Sequence, residues 1–232
     1  LLRGNGRYVD DIRLSNECHA YMLRTSHAHA RIVSIDCDVA RSMPGVIAVY
    51  TGADWVADGY GQHPAGHNRV RRNGSDLYVP TRYAIAHKEV KVTGDIVAMV
   101  VAESVNLGKD AAEQIIVKYD LMPVITEGTQ ARAEGAPVLH EGCDDNEGYF
   151  YTAGDKEAVE STIASAHHVT WLNTKINRIT ANTMEPRSCI GDYDHRFERY
   201  ILIGGTQRPH LLRKTLAIDV FGVPETAVKM IT

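Results

Sequence analysis

Residues 96–115, IVAMVVAESVNLGKDAAEQI, decide the fold class. Residues 96–103 (IVAMVVAE) form an almost unbroken apolar run, the pattern of a strand buried on both faces rather than one. Ser104 then supplies a helix N-cap, and Leu107, Ala111 and Ile115 recur at i, i+4 and i+8 as an inner stripe. A buried strand feeding directly into an amphipathic helix points to an α+β fold.

Upstream, residues 17–24 (CHAYMLRT), 30–36 (ARIVSID) and 46–50 (VIAVY) are short β-branched or aromatic runs bounded by turn residues, hence strands. Between the last two, DVARSMPG is long enough for one or two helical turns stopped by Pro44 and Gly45. Residues 52–80 shift to Gly, Asn, His and Arg and read as a long surface loop, a kind that tends to carry function. Downstream of the helix, IIVKYD and MPVI give another strand and its exit. The first domain therefore covers residues 1–122.

Residues 123–150 carry Gly, Pro and acidic side chains without a period, the signature of an extended linker. A second domain, 151–232, opens with Asp155 as N-cap, Glu157 in the first turn and Val159 and Ile163 four apart. Residues 168–178, 188–193 and 198–203 are expected to be strands. Pro209 starts a helix with Leu212, Leu216 and Val220 on one face, closed by Gly222 and Pro224. The strand expected at 226–231 runs to the end of the sequence, so the second domain is expected to be incomplete. Leu1-Leu2-Arg3, without Met, fits a processed or excised piece.

The sequence has 232 residues, 44% of them hydrophobic, enough for ordinary cores. Lys plus Arg number 25 and Asp plus Glu 29, a net charge of -4 with both signs dispersed, which gives no electrostatic case for nucleic acid or an anionic membrane surface. No apolar run reaches the roughly 18 residues of a membrane helix. Cys18, Cys37, Cys143 and Cys189 are widely spaced, as expected of reduced thiols in a cytoplasmic protein.

Motifs for chemistry are sparse. Gly4-Asn5-Gly6-Arg7 lacks the third glycine and the flanking strand and helix of a dinucleotide loop. His27 and His29 are two apart, a possible metal pair but more often packed, hydrogen-bonded histidines; His167 and His168 would face opposite sides of a strand. No metal site is assigned.

Seven segments, in order, resemble one family. GNGRYVDDIRL (4–14), RTSHAHARIVSID (24–36), MPGVIAVYTGAD (43–54) and VTGDIVAMVVAES (92–104) are similar to the α/β hammerhead domain of the xanthine dehydrogenase/aldehyde oxidase large subunits. GDKEAV (154–159), NTMEPR (182–187) and GGTQRPH (204–210) resemble the start of their molybdopterin-binding domain. Two departures stand out: Gly94-Asp95-Ile96 where the family commonly has Gly-Glu-Pro, which loses a rigid turn, and Thr183 where Pro is frequent.

The resemblance implies an α+β fold made of a hammerhead domain and an incomplete molybdopterin-binding domain. It implies a molybdenum hydroxylase, oxidising an aldehyde or N-heterocycle with oxygen from water. Molybdopterin would carry the metal in the whole subunit, and [2Fe–2S] clusters and FAD on partner subunits or domains would take the electrons. Within this sequence only Gln207 falls on a position that touches the metal centre, its amide donating to an oxygen ligand without adding charge. Its bland alternative is a solvated Gln capping the helix that begins at Pro209. Arg208 and His210 fall beside the substrate funnel. Glu185 and Arg187 flank Pro186, and a structural role in fixing that turn is expected of them. The family's catalytic glutamate and its glycine-rich loop belong to later polypeptide, so no catalytic residue is assigned and this chain is expected to be inactive alone. The expected partners are the remainder of the subunit, the iron–sulfur and FAD subunits of a larger oligomer, and a small-molecule substrate. The alternative is a non-catalytic scaffold or split-subunit piece that docks partner subunits, and a plain small-molecule domain has only the 52–80 loop in its favour.

Overall fold

The computed structural model describes residues 3–64, 69–177 and 179–232. The decisive stretch forms β5 (Ile96–Ala102) followed by α3 (Val105–Ala112), with the Ser104 hydroxyl oxygen accepting the Leu107 N–H at 3.3 Å. β5 is the middle strand of an antiparallel sheet, flanked by β1 (His19–Arg24) and β3 (Val46–Thr51). One face of β5 (Ala98, Val100) packs under α3 and the other (Val97) against Ala30 and Val90, so both faces are buried and its sequence does not alternate. Beneath it, Val49, Ala98, Val100, Ala111, Ala112 and Ile115 pack with Cys37 and Ala40 of the α1 segment (Asp38–Ser42). Ile115 is buried as expected, but α3 ends at Ala112, so its inner face is Gly108, Ala111 and Ala112 rather than a stripe reaching residue 115.

A second antiparallel sheet places β2 (Ala30–Asp36) between β4 (Glu89–Val90) and β6 (Ile116–Leu121). The expected 52–80 loop is partly ordered: Gly52–Ala57 forms α2. Asp54 Oδ2 accepts both the Thr51 N–H and the Thr51 hydroxyl at 2.7 Å, a Thr-x-x-Asp capping arrangement that holds the first turn. At 94–96, where a rigid turn was expected to be lost, the turn survives by other means. Gly94 takes φ +93, and Asp95 Oδ2 accepts the N–H groups of Lys91 (2.8 Å) and Val92 (3.2 Å).

Beyond the linker, α4 (Lys156–Ser165) is capped by Asp155, whose Oδ1 accepts the Ala158 N–H at 2.9 Å. The third sheet has β8 (Arg199–Ile203) at its centre, antiparallel to β7 (Ile190–Asp194) and parallel to β9 (Val228–Ile231). The β8–β9 connection contains α5 (Pro209–Lys214), which continues as a π-helix, Thr215–Phe221, and stops at Gly222 with φ +65. The strand expected at 168–178 is not present over 168–177, and Arg178 lies outside the described residues. Trp171 (81% exposed), Leu172 and Ile176 all stand in solvent. An apolar period alone cannot make a strand without a neighbouring strand to complete its ladder.

Candidate cofactor-facing site

β8 and β9 are parallel neighbours, and the segment Gly204–Arg208 leaves the carboxyl end of β8 with Gly204 beside the end of β9. Such a position, outside the C-terminal ends of parallel strands, is where open α/β arrangements receive ligands. The Gly204 N–H donates to the Ile231 carbonyl at 3.0 Å, tying the turn to both strands. A Cβ on Gly204 would sit 3.3 Å from Cys189 Cβ and 3.4 Å from the Ser188 carbonyl oxygen, so the turn packs tightly against the entry to β7. Thr206 Oγ1 then accepts the Arg208 N–H at 3.3 Å. This short side-chain-to-backbone bond leaves Gln207 at the apex, exposed.

Helix α5 has Arg208 at its N-cap and no side-chain cap there. Gln207 therefore does not cap the helix start, and its side chain is solvent-exposed. Arg208 and His210 are both exposed, one at the N-cap and one within the first helical turn. The turn thus presents an amide, a guanidinium and an imidazole, with no carboxylate between Gly204 and His210. That donor set suits an anionic, phosphate-bearing cofactor: it offers hydrogen-bond donors and positive charge with nothing to repel a phosphate. Sequence reasoning singled out Gln207, Arg208 and His210 and did not anticipate the Thr206 turn bond, although a Thr two residues before an N-cap is a legible turn signal.

The other singled-out residues lie elsewhere. His29 is 5% exposed, with Nδ1 2.8 Å from the Pro123 carbonyl oxygen and Nε2 buried without a partner; His27 packs edge-on against Tyr119 at 4.7 Å. Among the described residues no cluster of three or more His, Cys, Asp or Glu could hold a metal ion. Near His29, burial, then the charges of Lys91 and His29, push the His140 imidazole below its ordinary pKa, with Glu89 opposing; Lys91 Nζ lies 3.3 Å from His140 Nδ1. Glu185 and Arg187 are both exposed, and among the described residues no ion pair joins them. The turn they were expected to fix is instead held by the Thr183 hydroxyl donating to the Glu185 carbonyl at 2.7 Å. A cavity of about 290 Å³ at that turn is lined by Thr180–Thr183, Met184, Pro186 and Arg187 and does not reach Gln207.

The strongest buried charge is one that sequence reasoning missed. Glu147, 7% exposed, accepts the Arg72 N–H at 2.8 Å and pairs with the guanidinium groups of Arg72 (3.3 Å) and Arg132 (3.2 Å). The Arg72 N–H above all, opposed by desolvation but reinforced by the guanidinium groups, holds its carboxyl below the usual range. Beside it Arg71 pairs with Asp145, and Arg72 stacks 3.7 Å over the Phe150 ring. Together they tie the segment around Arg71 and Arg72 to residues 132–150.

The chain thus combines two small antiparallel sheets with a third sheet whose parallel strand pair, β8 and β9, leads into a donor-rich turn. Comparison with known proteins supplies the class. Residues 3–123 match the aldehyde oxidase and xanthine dehydrogenase a/b hammerhead domain, and residues 139–232 match the molybdopterin cofactor-binding domain. The chain belongs to this molybdenum hydroxylase family. Similar proteins include the carbon monoxide dehydrogenase large chain of Afipia carboxidovorans (30% identity, 99% of this chain and 28% of that protein). The nicotine 6-hydroxylase large subunit of Paenarthrobacter nicotinovorans is 31% identical over 94% of this chain and 26% of its own length. Among solved structures, quinoline 2-oxidoreductase from Pseudomonas putida 86 superposes with a TM-score of 0.83 at 32% identity, covering 99% of this chain and 28% of that one. The chain thus spans less than a third of these relatives. Among the described residues no helix is long and apolar enough to cross a membrane.

Proposed function

We propose that this chain carries the Gln207 face of a molybdopterin site in a hydroxylase acting on an aldehyde or N-heterocycle, within a subunit whose other segments complete the pocket. The domain division 1–122, 123–150 and 151–232 belongs to the same reading. The observation that carries it is the turn Gly204–Arg208: an exposed, uncharged amide just past the carboxyl end of β8 that does not cap α5 among the described residues. Molybdopterin, when bound, supplies the two-electron oxidation that converts a substrate C–H and water into C–OH, two protons and two electrons. Iron–sulfur and FAD partners receive those electrons.

The residues of this chain position and select. The Gln207 amide N–H donates to an oxygen of the cofactor without adding charge. Arg208 and His210 border the substrate approach and favour substrates bearing an acceptor near the reacting carbon. With no carboxylate in the turn, the proton acceptor comes from elsewhere in the subunit, and this chain alone does not turn over. A scaffold reading draws on the solvent-exposed Trp171, Leu172 and Ile176, which suit a docking surface, yet docking serves the hydroxylase equally well.

The test is Gln207→Ala in the full-length, molybdenum-loaded protein. Loss of one such outer contact lowers kcat/KM about 10–100-fold with metal content retained. Unchanged turnover at full molybdenum content refutes the role.

A further inference from the structure

We propose that Gly61 and Trp55, in the first unit, are positioning residues that set the placement of the Gln207 turn by clamping the far end of the helix behind it. The inference rests on the Gln207 reading for its functional meaning.

The helix starting at Pro209 changes to a π-helix from Thr215 to Phe221. This wider winding is rare, occurs mostly as single-turn bulges and clusters at functional sites, so an extended run needs outside support. Its last turn leaves carbonyl groups without a partner within the helix. Gly222 ends the run, and the Val223 N–H folds back to the Ala217 carbonyl at 2.8 Å. The Val220 carbonyl receives its hydrogen bond from the Gly61 N–H, also at 2.8 Å. The loop of the first unit therefore caps the helix of the second.

The contact requires glycine for steric reasons. A Cβ at Gly61 would fall 1.8 Å from the Asp219 carbonyl oxygen and 3.0 Å from its carbon, backbone atoms that a rotamer change cannot move. Gly61 is itself held, because its carbonyl accepts the Trp55 Nε1–H at 3.0 Å. The Trp55 and Tyr60 rings lie 5.0 Å apart, and Tyr60 meets Phe221 edge-on at 5.9 Å. Phe221 stacks on Tyr200 at 4.8 Å. Tyr200 is on β8, the strand that leads into the Gln207 turn. The loop thus grips both elements flanking that turn, the helix through Val220 and the strand through the Phe221–Tyr200 stack. A rigid helix of this length passes a displacement at its C-terminal end to its start, roughly 20 Å away.

The experiment uses the full-length protein loaded with its cofactor, with Gly61→Ala, Trp55→Phe, Gln207→Ala and the double variant Gly61→Ala/Gln207→Ala. Metal content, amide exchange over residues 204–223, the electron paramagnetic resonance signal of the reduced metal, and kcat and KM are measured. The clamp predicts that Gly61→Ala speeds exchange in the turn and the π-helix about tenfold or more. It also shifts the resonance signal in the direction seen with Gln207→Ala, and costs little further kcat on top of Gln207→Ala. Trp55→Phe, which keeps an aromatic ring beside Tyr60 but loses the Nε1–H and part of the indole, shows the same changes in smaller measure, and it carries the test if Gly61→Ala does not load metal. Faster exchange with an unmoved resonance signal, or losses in kcat that multiply fully in the double variant, overturns the proposal by showing mere packing. If Gln207→Ala alone alters neither signal nor turnover, the Gln207 reading falls. The clamp is then decided by exchange in residues 204–208: faster in Gly61→Ala upholds it, and unchanged refutes it.

Discussion

Val100→Ala tests whether the β1–β5–β3 sheet is the core of the first unit. Val100 is 0% exposed, sits opposite Tyr21 on one side and Val49 on the other, and packs with Ala111, Ala112 and Ile115. Truncation removes two methyl groups from a dry site, a transfer loss of about 1.6 kcal/mol at about 0.8 kcal/mol per carbon. If the sheet and α3 cannot collapse, a void of roughly 50 Å³ adds about 1.2 kcal/mol. The sum, about 2–3 kcal/mol, corresponds to a Tm drop of about 5–10 °C for a chain of this size. Differential scanning calorimetry beside the control Val33→Ala measures it. Val33 is 62% exposed where the β2–β6 register shifts, so its truncation stays within about 0.5 kcal/mol. A Val100→Ala loss no larger than the control would refute the assignment of the buried strand, and with it the fold argument that began at residue 96.

Two further outcomes follow from the polar contacts. Because burial, Lys91 and His29 depress the His140 pKa in the folded chain, the unfolded chain takes up the proton first as pH falls. The stability tied to His140 is therefore fully present above the unfolded value of about 6.5 and is lost as pH drops through it toward the folded pKa. Urea titrations between about pH 7.5 and about pH 5 should show that slope flattened in His140→Gln, and parallel curves for the two proteins would contradict the placement of His140. Asp95→Ala strips the acceptor of the Lys91 and Val92 N–H groups and should cost about 1–2 kcal/mol. A silent substitution there would mean that the turn at Gly94 is held by its backbone alone.

What the sequence made legible was what local chemistry controls. The apolar run of β5, the Ser104 and Asp155 caps, and the Pro209 start with its Gly222 stop each depend on residues a few positions apart, and each formed where the pattern put it. Gln207, Arg208 and His210 were singled out only through family resemblance, since an amide, a guanidinium and an imidazole in an exposed turn have no spacing that distinguishes them from solvated side chains. Residues 168–177 failed for the opposite reason: their period is strand-like, but a strand needs a neighbour, and sequence period does not report one. The Glu147 staple and the Gly61 contact were invisible because their partners, Arg72 and Arg132 for one and the Val220 carbonyl for the other, are distant in sequence. Gly61 is the sharper case. Its φ does not demand glycine, so no turn signal marks it, and the constraint is the backbone of another element passing within 1.8 Å of the absent Cβ. A residue whose identity is fixed only by a remote carbonyl reports on how two segments are held together, and the Gly61 contact, which sequence reasoning had no means of seeing, is the one on which the proposed coupling to the Gln207 turn rests.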